Sequence, residues 1–199
     1  MDSVKKKFLV DQLIDSVQIK AAYVNDPVQQ ELLHQISEVC TLAYKSGKKL
    51  LIAGNGGSAA DAQHFAGELV SRFFFDRPAL PAIALTTDSS ILTAIGNDYG
   101  YDQLFARQIE AHGNEGDVFI GLSTSGNSPN ILKGLHVAKS RGMITIGWTG
   151  QVGGKMLEIC DHIIRVPSGS TPRIQEVHGL IGHCICAYIE REIFGDKSE

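Results

Sequence analysis

Cysteine is scarce. Cys40, Cys160, Cys184 and Cys186 are too few and too scattered to staple a chain of 199 residues. A disulfide scaffold is excluded, and a reducing, cytoplasmic setting is expected. The chain also lacks any apolar run of about eighteen residues, which excludes a membrane-spanning helix. Near the N-terminus Phe8-Leu9-Val10 is interrupted at once by Asp11, so no secretory leader is read. An excess of one charge is missing as well: 18 basic against 22 acidic residues leave a net charge of −4. That balance gives no bulk attraction for nucleic acid or an anionic membrane, and neither is expected as a partner.

What is present fits one ordinary globular domain spanning 1–199, with 43% apolar and 20% charged residues. Two amphipathic helical stretches come first. Leu9, Leu13, Val17 and Ala21 recur every four residues over about 3–24, with Phe8, Val10 and Ile14 widening the face. Asp26-Pro27 ends this stretch and starts a second, which carries Leu32, Leu33, Ile36, Val39, Cys40 and Ala43 and stops at Ser46-Gly47. From residue 47 short apolar runs alternate with helical patterns: Leu50–Ala53, Ala82–Leu85, Val118–Leu122, Ile144–Trp148 and Ile163–Val166. Near-continuous apolarity suits strands buried on both faces, and the alternation suits βαβ units. The expected fold is therefore α/β, a five-stranded, parallel, doubly wound sheet over 47–199, closed by a helix from about Thr171 to Phe194. The helical pair 1–46 is left with apolar faces that other copies of the chain would cover most simply, docking onto their own domain being the alternative.

In such a sheet the ligand lies beyond the carboxyl ends of the strands. The first strand runs into Gly54-Asn55-Gly56-Gly57-Ser58-Ala59-Ala60-Asp61, which opens a helix. Glycines there allow a ligand close to the backbone at a positive helix end. Gly54-x-Gly56-x-x-Ala59 fits a loose dinucleotide fingerprint, but the next strand ends in Leu85-Thr86-Thr87-Asp88 without an acid at its tip. No Gly-Lys-Ser/Thr follows the glycines, so a nucleotide P-loop is excluded. A tight turn without a ligand is the plain alternative. The third strand runs into Ser123-Thr124-Ser125-Gly126-Asn127-Ser128-Pro129. Its four hydroxyls exceed what one helix cap needs, and they match the acceptor oxygens of a phosphate.

Other polar residues carry the chemistry. His64 and Glu68, four apart, share one helix face about 6 Å apart along the axis and could hold a divalent metal; a solvated polar pair is the alternative. Gln175, His178 and His183 on the last helix add candidates, and spacing leaves the choice between the two histidines open. Cys184 and Cys186 point to nearly opposite sides of that helix, so core packing is expected for them rather than a shared ion.

Taken together, Gly54–Asp61, His64-Phe65-Ala66-Gly67-Glu68, Thr87–Tyr99 with Gly96-Asn97-Asp98, Leu122–Ser128 and Arg173–His178 resemble the sugar isomerase (SIS) domain family, and within it the phosphoheptose isomerases. The resemblance covers nearly the whole chain. It implies an aldose–ketose isomerase converting D-sedoheptulose 7-phosphate to D-glycero-D-manno-heptose 7-phosphate, the first step towards ADP-heptose for lipopolysaccharide core or a related glycan. It implies one zinc ion per subunit on His64, Glu68, Gln175 and His183, with Glu68 and His183 as acid and base. Substrate contacts carried over by position are Asn55, Gly56, Gly57, Glu68, Asn97, Asp98, Ser123, Thr124, Ser125, Ser128 and Gln175. His178 is left a packing or supporting role. Pro172 stands where some relatives carry an acidic or small residue, so no acidic sugar contact is carried over there.

The resemblance also implies a homotetramer. Gln175 and His183 are eight residues apart, about 12 Å along a helix, which one metal spans only by a long reach or with ligands from different subunits. A site at or close to a subunit interface is therefore expected. Two other SIS readings compete: a non-enzymatic protein bound to the replication initiator, and a phosphosugar-sensing module. The first lacks the residues matching Glu68 and His183, and the second usually carries an effector domain.

Overall fold

The computed structural model describes residues 2–195; Met1 and 196–199, the ends of the expected 1–199 domain, lie outside the described residues. Helices α1 (Asp2–Val24) and α2 (Pro27–Lys45) lead. The break between them is chemical. Asp26 accepts hydrogen bonds from the N–H groups of Val28 and Gln29 at 2.9 and 3.4 Å, and Pro27 occupies the first turn, where no N–H is needed.

The sheet follows as β1 (Leu50–Ala53), β2 (Ala82–Ala84), β3 (Val118–Leu122), β4 (Ile144–Thr149) and β5 (His162–Arg165). All neighbours pair in parallel, in the order β2-β1-β3-β4-β5. The expected strands are all present. The β4–β5 ladder extends β4 to Thr149 by pairing it with Arg165, and starts β5 at His162 opposite Ile146. Between the strands run α3 (Gly57–Val70), α4 (Ser89–Asp98), α5 (Leu104–His112) and α6 (Pro129–Ser140), and α7 (Thr171–Phe194) closes the chain.

Strand alternation splits the core into two layers. Leu50, Ile52, Val118, Ile120 and Leu122 face α2, α3 and α7, meeting Ile36, Phe65, Leu69, Val177 and Ile181. Leu51, Ala53 and Phe119 face α5 and α6, meeting Phe105, Ile109, Ile131 and Leu135. Burying each such Leu or Ile contributes roughly 1.5–3 kcal/mol, and the near-total burial of β1 and β3 makes them the sheet's anchor.

Two surfaces stand apart from this core. Helix α1 reaches the core only near its end, through Tyr23 and Ile19, and otherwise touches α7 through polar contacts: Arg173 donates to the Gln12 carbonyl at 2.9 Å and Ser16 to Glu176 at 2.6 Å. Its apolar stripe stays open, with Phe8 62%, Leu13 68% and Val17 66% exposed. The expectation of core packing for both late cysteines holds for Cys186, which is buried, and fails for Cys184, which is exposed. The 200° step that separates them sends one thiol into the α7 core face and the other out. Among the described residues, no helix is long and apolar enough to cross a membrane.

Candidate active site

Because β1 and β3 are neighbours in the middle of the sheet, the glycine and serine loops emerge side by side at its switch point. They are tied together. Asn55 Nδ2 donates to Asn130 Oδ1 at 2.9 Å, and Asn130 Nδ2 returns a bond to Asn55 Oδ1 at 2.8 Å. Tyr101 donates its hydroxyl to the same Asn55 oxygen at 3.1 Å. Asn130 and Tyr101 escaped the sequence reading, because nothing local marks a partner 75 or 46 residues away. A cavity of about 440 Å³ opens beside the glycine loop, lined by Asn55, Gly56, Thr86, Thr93, Gly96 and Tyr101 among others.

Within the serine loop, the Ser123 and Ser128 hydroxyls lie 2.8 Å apart, and Ser125 lies 3.5 Å from Ser123. Ser128 occupies the cap position of α6 yet makes no capping bond, so its hydroxyl turns to the loop instead of the helix. Thr124 is half-buried beside them. Gly126, at φ +67°, lets the loop fold back; a Cβ there would lie 1.9 Å from the Gly153 carbonyl oxygen. The arrangement is a compact cluster of hydroxyls at the start of a helix, suited to an anion.

A second group forms where α3 and α7 run side by side. His64 Nε2 lies 3.0 Å from Glu68 Oε1, and His183 Nε2 lies 3.3 Å from His64 Nε2. One donor atom from each residue falls within 4.8 Å of the others. The two rings meet edge to face at 4.9 Å between centroids, and the Phe73 ring lies 5.6 Å from that of His183. None of the three ligand candidates is buried. Two imidazole nitrogens and one carboxylate oxygen converging with an open side fit the donor set of a catalytic divalent metal. Glu68 Oε2 has no hydrogen-bond partner among the described residues, so the carboxylate has an oxygen to spare.

His178 is different. It is buried, and its Nε2–H donates to the Thr149 carbonyl at 3.3 Å. Burial pushes its pKa down to about 4, against the Thr149 bond, which acts upwards. It is a neutral core histidine, and it is His183 that meets His64 and Glu68.

Two expected groups are not drawn in. The Gln175 amide sits at the start of α3, where Nε2 lies 3.5 Å from Ser58 Oγ and would be 2.6 Å from a Cβ on Gly57. His64 is seven residues further along α3, about 10 Å by helix rise. Asn97 donates to Asp98 at 2.7 Å, and Asp98 lines a separate cavity of about 270 Å³ with Arg107 and His112.

Beneath the cluster lies a buried ion pair. Arg77 Nε donates to Glu190 Oε1 at 2.9 Å, with both side chains about 1% exposed. Burial alone would raise the Glu190 carboxyl, but the N–H groups of Phe74 and Phe73 and the Arg77 guanidinium hold it below the usual carboxylate range.

Known proteins share this architecture. Residues 18–150 match the SIS domain family. The chain is 58% identical over 193 residues to a phosphoheptose isomerase of Aneurinibacillus thermoaerophilus, with 96% of each chain covered. Its backbone matches the solved phosphoheptose isomerase of Neisseria gonorrhoeae at a TM-score of 0.87, with 41% identity over 93% of this chain and 98% of that one. The enzyme from Francisella tularensis gives 0.89, with 39% identity over 96% and 100%. With sequence and backbone course agreeing over nearly the whole length, the chain belongs to the phosphoheptose isomerase family of SIS-domain enzymes.

Proposed function

We propose that the protein isomerises D-sedoheptulose 7-phosphate to D-glycero-D-manno-heptose 7-phosphate. The observation that carries this reading is the convergence of His64 and Glu68, on the helix that leads from the glycine loop, with His183 on α7. A phosphate anchor and an acid/base group with metal-binding character are the two parts such a reaction needs. The names of the relatives supply the substrate class.

Ser123, Thr124, Ser125 and Ser128 bind the 7-phosphate and convert binding into orientation of the distant carbonyl end. Asn55, Gly56 and Gly57 hold the sugar hydroxyls, with Asn97, Asp98 and Gln175 completing the contacts. Glu68 takes the proton from C1 of the ketose and returns it to C2. His183 donates a proton to O2 as the enediol forms and removes one from O1 as the aldehyde appears. In the reverse direction their roles exchange. The unpartnered Glu68 oxygen supports this double duty, since one oxygen can face a metal while the other handles the proton. His64, Glu68, His183 and Gln175 are the residues that would hold Zn²⁺, one ion per subunit. When bound, it supplies a positive charge that polarises the carbonyl.

The chain acts, in this reading, as a single SIS domain over 1–199 in a cytoplasmic homotetramer. Helices α1 and α2 pack against other copies. The exposed stripe of α1 supports such packing, and the placement of Gln175 away from His64 supports a site completed near a subunit interface. Its product feeds ADP-heptose for lipopolysaccharide core or a related glycan.

A coupled assay offering sedoheptulose 7-phosphate tests the proposal. Turnover that is lost on chelation and restored by Zn²⁺ is the expected outcome. Folded, zinc-supplied protein that leaves the heptulose unchanged, and binds a replication initiator instead, overturns it.

A further inference from the structure

We propose that the buried Arg77–Glu190 pair is a positioning device for the His64–Glu68–His183 cluster, setting the separation of α3 and α7 and so the gap between the two imidazoles. This rests on the reading of that cluster as the reacting end of the site. The two helices contribute groups 119 residues apart, and no covalent link joins them. Their spacing must come from packing or from a directional contact.

Arg77 provides the contact on the α3 side. It donates to the carbonyls of Glu68 at 2.9 Å and Leu69 at 2.7 Å in the last turn of α3 and to that of its cap residue Ser71 at 3.3 Å, and the Leu69 carbonyl also accepts from the Leu80 N–H at 3.1 Å. The turn it grips carries Glu68 itself. Its Nε–H reaches across to Glu190 on α7, which lies seven residues, about two turns, beyond His183 on the same face. Glu190 also accepts from the N–H groups of Phe73 at 3.0 Å and Phe74 at 2.7 Å. Those bonds fold the 73–74 segment so that the Phe73 ring lies against His183. One carboxylate thus fixes both the helix that bears His183 and an aromatic wall beside its ring.

A buried ion pair is weak evidence for stability, since apolar replacements of the same volume are often as stable. What the guanidinium fork and carboxylate add over apolar packing is direction. A bound metal or a proton relay needs its groups held within about 0.5 Å. Neither Arg77 nor Glu190 belongs to the cluster, so they act through Glu68, His183 and Phe73.

The test uses the full chain, stripped of metal, with Co²⁺ alone as the probe in a visible-absorption titration. Kinetics with sedoheptulose 7-phosphate run alongside on Zn²⁺-loaded protein. Glu190→Gln, which keeps the volume, and Arg77→Lys, which keeps the charge but not the fork, should each weaken Co²⁺ binding about 10–100-fold. They should lower kcat by a similar factor and leave KM nearly unchanged, because the serine loop is untouched. Ile109→Val, in the opposite core layer, serves as a control for lost stability alone. If neither polar variant folds, Phe73→Leu keeps the pair and removes only the ring; it should weaken Co²⁺ binding and kcat to a lesser degree. Folded variants with wild-type Co²⁺ affinity and kcat overturn the proposal, as does an equal loss in Ile109→Val. A wild-type protein that binds Co²⁺ without isomerising the heptulose defeats the functional reading, and the Co²⁺ affinities still decide this one.

Discussion

At the strand tips, the glycine and serine loops are shaped by backbone turns and locked by short amide and hydroxyl contacts, such as Asn55 with Asn130 and Ser123 with Ser128. In the His64–Glu68–His183 cluster only the His64–Glu68 contact is local, and His183 joins it across 119 residues. The cluster hangs on two helices whose register is set from below by Arg77 and Glu190 and from behind by packed aromatic rings. A loop whose contacts lie within a few residues, as those of Ser123 with Ser125 and Ser128 do, keeps its form when a distant contact is lost. A region assembled across 119 residues depends on every contact that sets its spacing. The first suits a task that tolerates some slack, holding an anion. The second suits one that does not.

The comparison is broken most directly at Glu68. Glu68→Gln is expected to lower kcat about 10²–10⁴-fold in the isomerase assay while the circular dichroism spectrum stays that of the wild type. Near-normal turnover would remove the carboxylate from the chemistry. His183→Ala should be comparably damaging, and His178→Ala should instead show its loss mainly in stability. On the other side of the contrast, Ser128→Ala removes a hydroxyl that is spent neither on a helix cap nor on the core. Losing one bond to a charged phosphate raises KM about 10–100-fold, with kcat changing much less; initial-rate kinetics would show the reverse split if the loop were catalytic rather than anchoring.

The wall behind the cluster gives a pH signature. His178 has its folded pKa depressed from 6.5 to about 4, so protons bind the unfolded chain first. Its contribution is complete above about pH 6.5 and drains away as pH falls towards 4. Between pH 7.5 and 5 this amounts to about 2 kcal/mol of stability, read by urea unfolding at the two pH values. His178→Phe should flatten that slope, and an unchanged slope would place the acid sensitivity elsewhere.

The smallest effect is expected at the junction of the two regions. A Cβ at Gly57 would lie 2.6 Å from the end of the flexible Gln175 side chain, which can swing aside. Gly57→Ala should keep or raise the thermal midpoint and shift KM by less than about tenfold. A collapse of kcat instead would tie Gln175 to the cluster rather than to the loop.

Much of this is legible in the sequence alone. The change from a four-residue to a continuous apolar pattern at residue 47 marked the passage from the leading helices to a parallel sheet, because burial on one face or two leaves different spacing. The glycine and serine loops stood out because their function is written in adjacent residues. His64 and Glu68 were visible as a pair for the same reason. His183 against His178 is legible only through the family resemblance, since both lie on one helix and spacing does not show which faces α3. Cys184 departs from the expectation, because a two-residue step of about 200° separates the inside of α7 from its outside. Arg77, Glu190, Tyr101 and Asn130 carried no local mark at all.

The sequence by itself determined the order of the elements, the parallel sheet and the chemistry of each loop, because hydrophobic periodicity, glycine and hydroxyl spacing act over a few residues. Only the tertiary structure decided where the Gln175 amide rests, that His178 is walled into the core while His183 meets His64, and that an arginine and a glutamate 113 residues apart grip the two helices beneath them. Those contacts depend on how layers pack across the sheet, and no pattern along the chain encodes a distance across it.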